Sequence, residues 1–125
     1  MCLEFRLSSD NEKLKILKSH PDLALGKVKL FNKLTDSSKT EQKNAGLTSL
    51  TEKEQNNFNE LNDNYKKKFK HPFIIAVKGK TRSQILRQFK TRLNNSKQKE
   101  FITACSEVEK IAGFRIQEIF NSWKN

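Results

Sequence analysis

Residues 51–69 read TEKEQNNFNELNDNYKKKF, and this stretch decides the fold class. Thr51 and Glu54 have the spacing of a capping box, in which the hydroxyl accepts from the backbone three residues on and the carboxylate reaches back. Behind it, Phe58, Leu61, Tyr65 and Phe69 recur at intervals of three and four, the period of a helix with one buried face and not that of a strand. The spacing predicts a helix that runs until His71-Pro72 stops it.

Reading outward, the same grammar recurs. Ser9-Asp10-Asn11-Glu12 predicts a helix from about Asp10 to about Ser19, ended by His20-Pro21 because the residue before proline is pushed out of the α region. Ser38-Lys39-Thr40-Glu41 predicts a short helix with Ser38 as N-cap, closed by Gly46 in a left-handed position. Thr81 and Gln84 open a fourth helix carrying Ile85, Leu86, Phe89 and Leu93. A last helix is expected from near Ser96 to about Trp123, with an apolar stripe of Phe101, Ala104, Cys105, Val108, Ile111, Ala112, Ile116, Ile119 and Trp123. Phe73 to Val77 is a continuous apolar run of five, short enough for a buried strand or a buried extended loop. With no second strand in the sequence to pair it, the loop is preferred. The expected fold class is all-α, a compact single-domain helical bundle over residues 1–125.

Charge and cysteines bound the function. A formal net charge of +11 suits polyanion binding through counterion release, yet only five of the 25 basic residues are arginines, and base and phosphate recognition favour the bidentate guanidinium. A solvated lysine surface is the plainer reading, and nucleic acid is not the expected partner. The two cysteines, Cys2 and Cys105, cannot build a metal cluster, and Cys105 falls on an apolar helical face as a reduced, buried thiol. No apolar run is long enough to cross a membrane and no secretory leader is visible, so the cytoplasm is the expected compartment.

Three polar residues sit where bulk surface does not explain them. On a helical wheel with Val108 at zero, Arg115 falls at about 340°, inside the apolar stripe; it must meet a carboxylate, a carbonyl or a bound anion, or else snorkel outward. His20 leaves a helix ahead of a proline, presented from a fixed backbone from which an imidazole can act as acid or base near neutral pH. His71-Pro72 is the same dipeptide, so local pattern does not choose between them. Glu41 has a plain role as the returning carboxylate of its capping box, with Ser38 as cap.

A longer ordered series joins them: His20-Pro21-Asp22-Leu23, Thr35, Ser38, Glu41-Gln42, Ala45-Gly46-Leu47, Glu54, Phe58, Tyr65, Pro72-Phe73-Ile74, Val77-Lys78-Gly79, Arg92, Glu100 and Arg115-Ile116. This resembles the 2-oxo-4-hydroxy-4-carboxy-5-ureidoimidazoline (OHCU) decarboxylase family over about Leu14 to Phe120. The resemblance implies an all-helical, often homodimeric enzyme of urate breakdown that releases (S)-allantoin from a small-molecule substrate, without metal or organic cofactor. It implies that His20 is the catalytic acid or base with Glu41 beside it, and that Pro21 contacts substrate. Ser38, Lys39, Thr40 and Gln42 would line the pocket with Glu41, while Phe73, Ile74, Ile75, Ala76 and Val77 would supply backbone and an apolar wall. Arg115 would hold substrate oxygens. The sequence departs from the family by a shortened N-terminal portion, by Lys70-His71 in place of a glycine and an aromatic residue, and by its lysine excess. The alternative reading is a catalytically impaired relative or a basic module for polyanions.

Overall fold

The structure, a computed structural model, describes residues 9–20, 22–23 and 34–124. Five helices and no strand occur among the described residues: α1 Asp10–Ser19, α2 Asp36–Asn44, α3 Glu52–Phe69, α4 Arg82–Leu93 and α5 Lys97–Lys124. The all-α expectation therefore holds.

Local chemistry sets most boundaries. Ser9 caps α1 by accepting from the Glu12 amide, and His20 ends it with an extended backbone (ψ 137°). Reciprocal capping boxes open α3 (Thr51 with Glu54) and α4 (Thr81 with Gln84). At the Glu54 end of its box, the hydrogen bond from the Thr51 backbone holds the carboxyl below its ordinary range. Helix α3 stops at Phe69, with Lys70 in the left-handed region (φ 64°).

One boundary differs from expectation. The cap of α2 is Thr35, whose hydroxyl accepts from the Ser38 amide at 3.2 Å, so Ser38 lies inside the first turn and not at its head. Thr35 offers the same hydroxyl three residues earlier, and residues 36, 37 and 38 join the helix. Glu41 is thereby released from capping. At the other end Gly46 (φ +82°) closes the helix as expected: its amide bonds to Lys43 and that of Leu47 to Gln42, both at 3.0 Å, the paired bonds of a Schellman motif.

Residues 73–77 form a buried extended segment with an alternating environment. Phe73, Ile75 and Val77 join a core with Phe58, Tyr65, Phe69, Ile85 and Phe89 between α3 and α4. Ile74 faces the other way, packing with Leu17 of α1 and Ala104 of α5. A lone extended chain lacks sheet partners, and buried unpaired peptide groups are costly, so side chains supply the bonds. Arg92 Nη1 donates to the Ile74 carbonyl at 2.7 Å, Glu107 Oε1 accepts from the Ala76 amide at 3.1 Å, and Lys80 Nζ reaches the Ala76 carbonyl at 2.7 Å.

Arg92 is held by a buried ionic network. Its Nε donates to Glu100 Oε2 at 2.9 Å, Nη2 lies 2.7 Å from the same oxygen, and the Tyr65 hydroxyl donates there too. Asn95 donates to the other carboxylate oxygen at 3.1 Å. Burial and the neighbouring Glu100 carboxylate push the Tyr65 phenol well above its ordinary range. The Arg92 guanidinium lies 4.3 Å from the Phe73 ring, which stacks on Phe89 at 3.7 Å.

Helix α5, about 42 Å long at 1.5 Å per residue, departs from expectation at its end. Its stripe is covered through Ala104 and the half-buried Val108 and Ile111, but Ile116, Ile119, Phe120 and Trp123 are exposed, Trp123 at 83%. The apolar packing lies on its first half, while α2 meets the second half through the polar contacts of Arg115 and Glu118. Cys105 is half-buried, not fully enclosed, and burial raises its thiol pKa.

Candidate active site

Four separate pieces of chain meet around a cavity of about 210 Å³. From α1's exit come His20 and Asp22, from α2 Ser38, Glu41 and Gln42, from the extended segment Phe73, Ile75 and Val77, and from α5 Ile111 and Arg115. The volume is below the roughly 300–1,000 Å³ typical of drug-sized ligands, which suits a small polar molecule.

Alternation along 73–77 decides which of its residues face the cavity. Phe73, Ile75 and Val77 form its apolar wall, whereas Ile74 packs against α1 and α5 and Ala76 does not border the cavity. In α2, Ser38, Glu41 and Gln42 share the inward face. Thr40 and Lys39 do not border this cavity; Thr40 lines a second hollow on the other side of Glu41. Pro21 lies outside the described residues.

The two His-Pro dipeptides have different surroundings. His20 borders the cavity. His71 is buried against Tyr65 and Phe69, with Nδ1 2.9 Å from the Pro72 carbonyl oxygen, and burial lowers its pKa. Its ring is thus a neutral packing element.

Arg115 points inward, as the wheel predicts, and meets a carboxylate. Nη1 and Nη2 donate to Glu41 Oε2 and Oε1, each at 2.9 Å, the bidentate end-on geometry that adds specificity to charge. Glu41 raises the Arg115 pKa. Ser38 Oγ accepts from Arg115 Nη2 at 3.2 Å and from Thr35 Oγ1 at 3.1 Å. Both hydroxyl lone pairs are then used, and the Ser38 hydrogen is left to donate. Behind the guanidinium, Glu118 Oε1 accepts from Nη1 at 3.2 Å, and Ser37 Oγ donates to Glu118 Oε2 at 2.8 Å.

Several of these residues escaped the sequence reading. Glu118 falls at about 280° on the wheel that put Arg115 at about 340°, so its place beside the arginine was available as a signal. Ser37 and Thr35 were hidden by the misplaced cap. Asp22, whose Oδ2 pairs with Lys66 Nζ at 3.0 Å while Oδ1 is buried without a partner among the described residues, has no local signal.

A family model described as OHCU decarboxylase matches residues 1–117.

The chain belongs to the OHCU decarboxylase family.

Among its relatives, the uric acid degradation bifunctional protein of Bacillus sp. (strain TB-90) is 48% identical over 118 residues, covering 94% of this chain and 22% of that protein. The 2-oxo-4-hydroxy-4-carboxy-5-ureidoimidazoline decarboxylase of Halalkalicoccus jeotgali is 38% identical, covering 90% of this chain and 61% of its own length; that of Xenopus laevis is 41% identical, with 84% and 59% covered. The chain thus spans less than two thirds of these relatives. A crystal structure of an OHCU decarboxylase in the presence of (S)-allantoin superimposes with a TM-score of 0.73 at 28% identity, covering 94% of this chain and 73% of that one. No helix among the described residues is long and apolar enough to cross a membrane.

Proposed function

We propose that this OHCU decarboxylase family member converts 2-oxo-4-hydroxy-4-carboxy-5-ureidoimidazoline to (S)-allantoin in urate degradation, with no metal or organic cofactor. The observation that carries this reading is the convergence of His20, Glu41 and Arg115 on one small cavity from three distant stretches of sequence.

The substrate supplies its own electron sink. As the bond from C4 to the carboxylate breaks and carbon dioxide leaves, the electron pair moves into the neighbouring ring C=N. An enol forms, and the ring nitrogen takes a proton. Protonation at C5 with loss of the C4 hydroxyl proton then gives the carbonyl of allantoin. The protein must orient the bond, favour the shifting charge and protonate one face. His20 carries the acid-base role, which commonly accounts for about 10²–10⁴-fold in rate. Arg115 attracts the departing carboxylate or the enol oxygen, and Glu41 works beside His20. Ser38 donates its remaining hydrogen to a substrate oxygen, Gln42 offers an amide, and Phe73, Ile75 and Val77 exclude water from the ring. Pro21 contacts substrate in this reading. In this reading Lys39, Thr40, Ile74 and Ala76 support the site from behind.

The same reading takes the enzyme as a cytoplasmic homodimer, which the exposed Ile116, Ile119 and Trp123 of α5 support as an apolar surface available for pairing.

The test is direct. Freshly generated substrate should yield optically active allantoin faster with the purified chain than without it, and His20→Ala should remove that acceleration. An unchanged rate in His20→Ala, or no acceleration by wild type, rejects the assignment.

A further inference from the structure

Both Nη nitrogens of Arg115 are fully engaged before any substrate arrives. Its two Nη nitrogens carry four hydrogens, and four acceptors take them: Glu41 twice, Glu118 once and Ser38 once. An anionic substrate can therefore be met by the Nη edge only through exchange, with Glu41 or Ser38 giving up a hydrogen. Those two border the 210 Å³ cavity; Glu118 does not. Glu118 lines a second hollow, of about 360 Å³, which shares Glu41 as its partition.

The partners of the guanidinium thus divide into those a ligand reaches and one that it does not. Glu118 itself is tied to α2 by Ser37, 81 residues away in sequence, so it is anchored to the same helix that carries Glu41. We propose that Glu118, held by Ser37, is a positioning residue: it keeps Arg115 in place while the guanidinium passes between Glu41 and the substrate. This rests on the decarboxylase reading above for its kinetic consequence, but not for its geometry. The Arg115 to Glu118 pair is partly exposed, with side chains 27% and 38% accessible, and such pairs add little to stability. Its effect belongs in turnover.

Kinetics and thermal midpoints of Glu118→Ala, Glu118→Gln, Ser37→Ala and the Ser37→Ala/Glu118→Ala double variant test this. Glu118→Ala should lower kcat/KM about tenfold, the scale of one hydrogen bond to a charged group, chiefly through kcat and with the thermal midpoint almost unmoved. Glu118→Gln should recover most of the loss, since an amide oxygen still accepts from Nη1 and its NH2 can face Ser37. The double variant should be no worse than Glu118→Ala alone, because both substitutions break one tether. Unchanged kinetics in Glu118→Ala, a loss that follows a large fall in midpoint, no recovery in Glu118→Gln, or fully additive losses would each overturn the proposal. NMR of the arginine side chains reads the tether without turnover. In Glu41→Ala, where the exchange is mimicked, Arg115 should keep separate Nη signals, and Glu41→Ala/Glu118→Ala should merge them. Identical signals in the two overturn the tether even where the decarboxylase assignment has failed on its own test.

Discussion

Glu41 and Arg115 meet end-on across 74 residues of sequence, each carboxylate oxygen facing its own Nη nitrogen at 2.9 Å. This pair joins α2 to α5 at the rim of the cavity. A lysine there would offer one point charge in place of a planar fork. Arg115→Lys is expected to lower kcat/KM by about 100-fold or more, within the range seen when one oriented donor is lost, with the fold intact by circular dichroism.

His20 and His71 separate function from packing. His20→Asn should lower turnover by about 10²–10⁴-fold and leave the urea midpoint nearly unchanged. His71→Asn should do the reverse, keeping turnover at temperatures well below the midpoint while losing stability, because it removes a ring buried against Tyr65 and Phe69.

The lowered pKa of His71 has a defined sign. The unfolded chain takes up a proton at this residue near pH 6.5, while the folded protein resists it until a lower pH. Stability from this source is complete above about 6.5 and declines as pH falls from there toward the folded value. Urea titrations across this window should show the decline in wild type and a flatter profile in His71→Asn.

Glu100 holds Arg92, Tyr65 and Asn95 with its side chain fully buried. Glu100→Gln leaves the arginine's charge uncompensated and should destabilise by about 3–5 kcal/mol. Tyr65→Phe removes one charge-assisted bond and should cost about 1.5–3 kcal/mol. Chemical denaturation of both variants gives the comparison, and equal losses would contradict the network as described.

Gly46 adopts φ +82°, and a Cβ there would sit 3.4 Å from Arg82 Cδ. Left-handed backbone costs most residues about 1–2 kcal/mol, so Gly46→Ala should lower the thermal midpoint by a few degrees. Gly79 shares the left-handed backbone but has open space around it; Gly79→Ala should lose no more than Gly46→Ala.

The helix boundaries were legible because caps are local. Thr51 with Glu54 and Thr81 with Gln84 need only three residues to declare themselves. The start of α2 was misread because Thr35, Ser37 and Ser38 all carry hydroxyls, and choosing among them depends on how the helix docks. Arg115's inward direction was readable from periodicity, but its acceptor was not, since Glu41 lies 74 residues away. For the same reason local pattern could not rank His20 over His71, and only the family resemblance singled out His20. The overextended stripe on α5 has a related cause: apolar spacing shows which face could be covered, not how far its neighbours reach. Burial of Arg92, Glu100 and Glu107 left no local trace, because Arg92 pairs with Glu100 while Arg92 and Glu107 also bond a peptide segment far from them in the chain.

In that segment, residues 73–77, side chains satisfy the main chain: Arg92 and Lys80 donate to its carbonyls and Glu107 accepts from its Ala76 amide. Its backbone is therefore secured independently of what Phe73, Ile75 and Val77 present to the cavity. Ligand preference can drift by exchanging one apolar group for another at positions 75 and 77 while the supporting scaffold stays intact, whereas losing Arg92 or Glu107, neither of which borders the cavity, would deform the chamber. Replacements at those two distant charges should thus damage recognition more broadly than replacements at the ligand-facing positions.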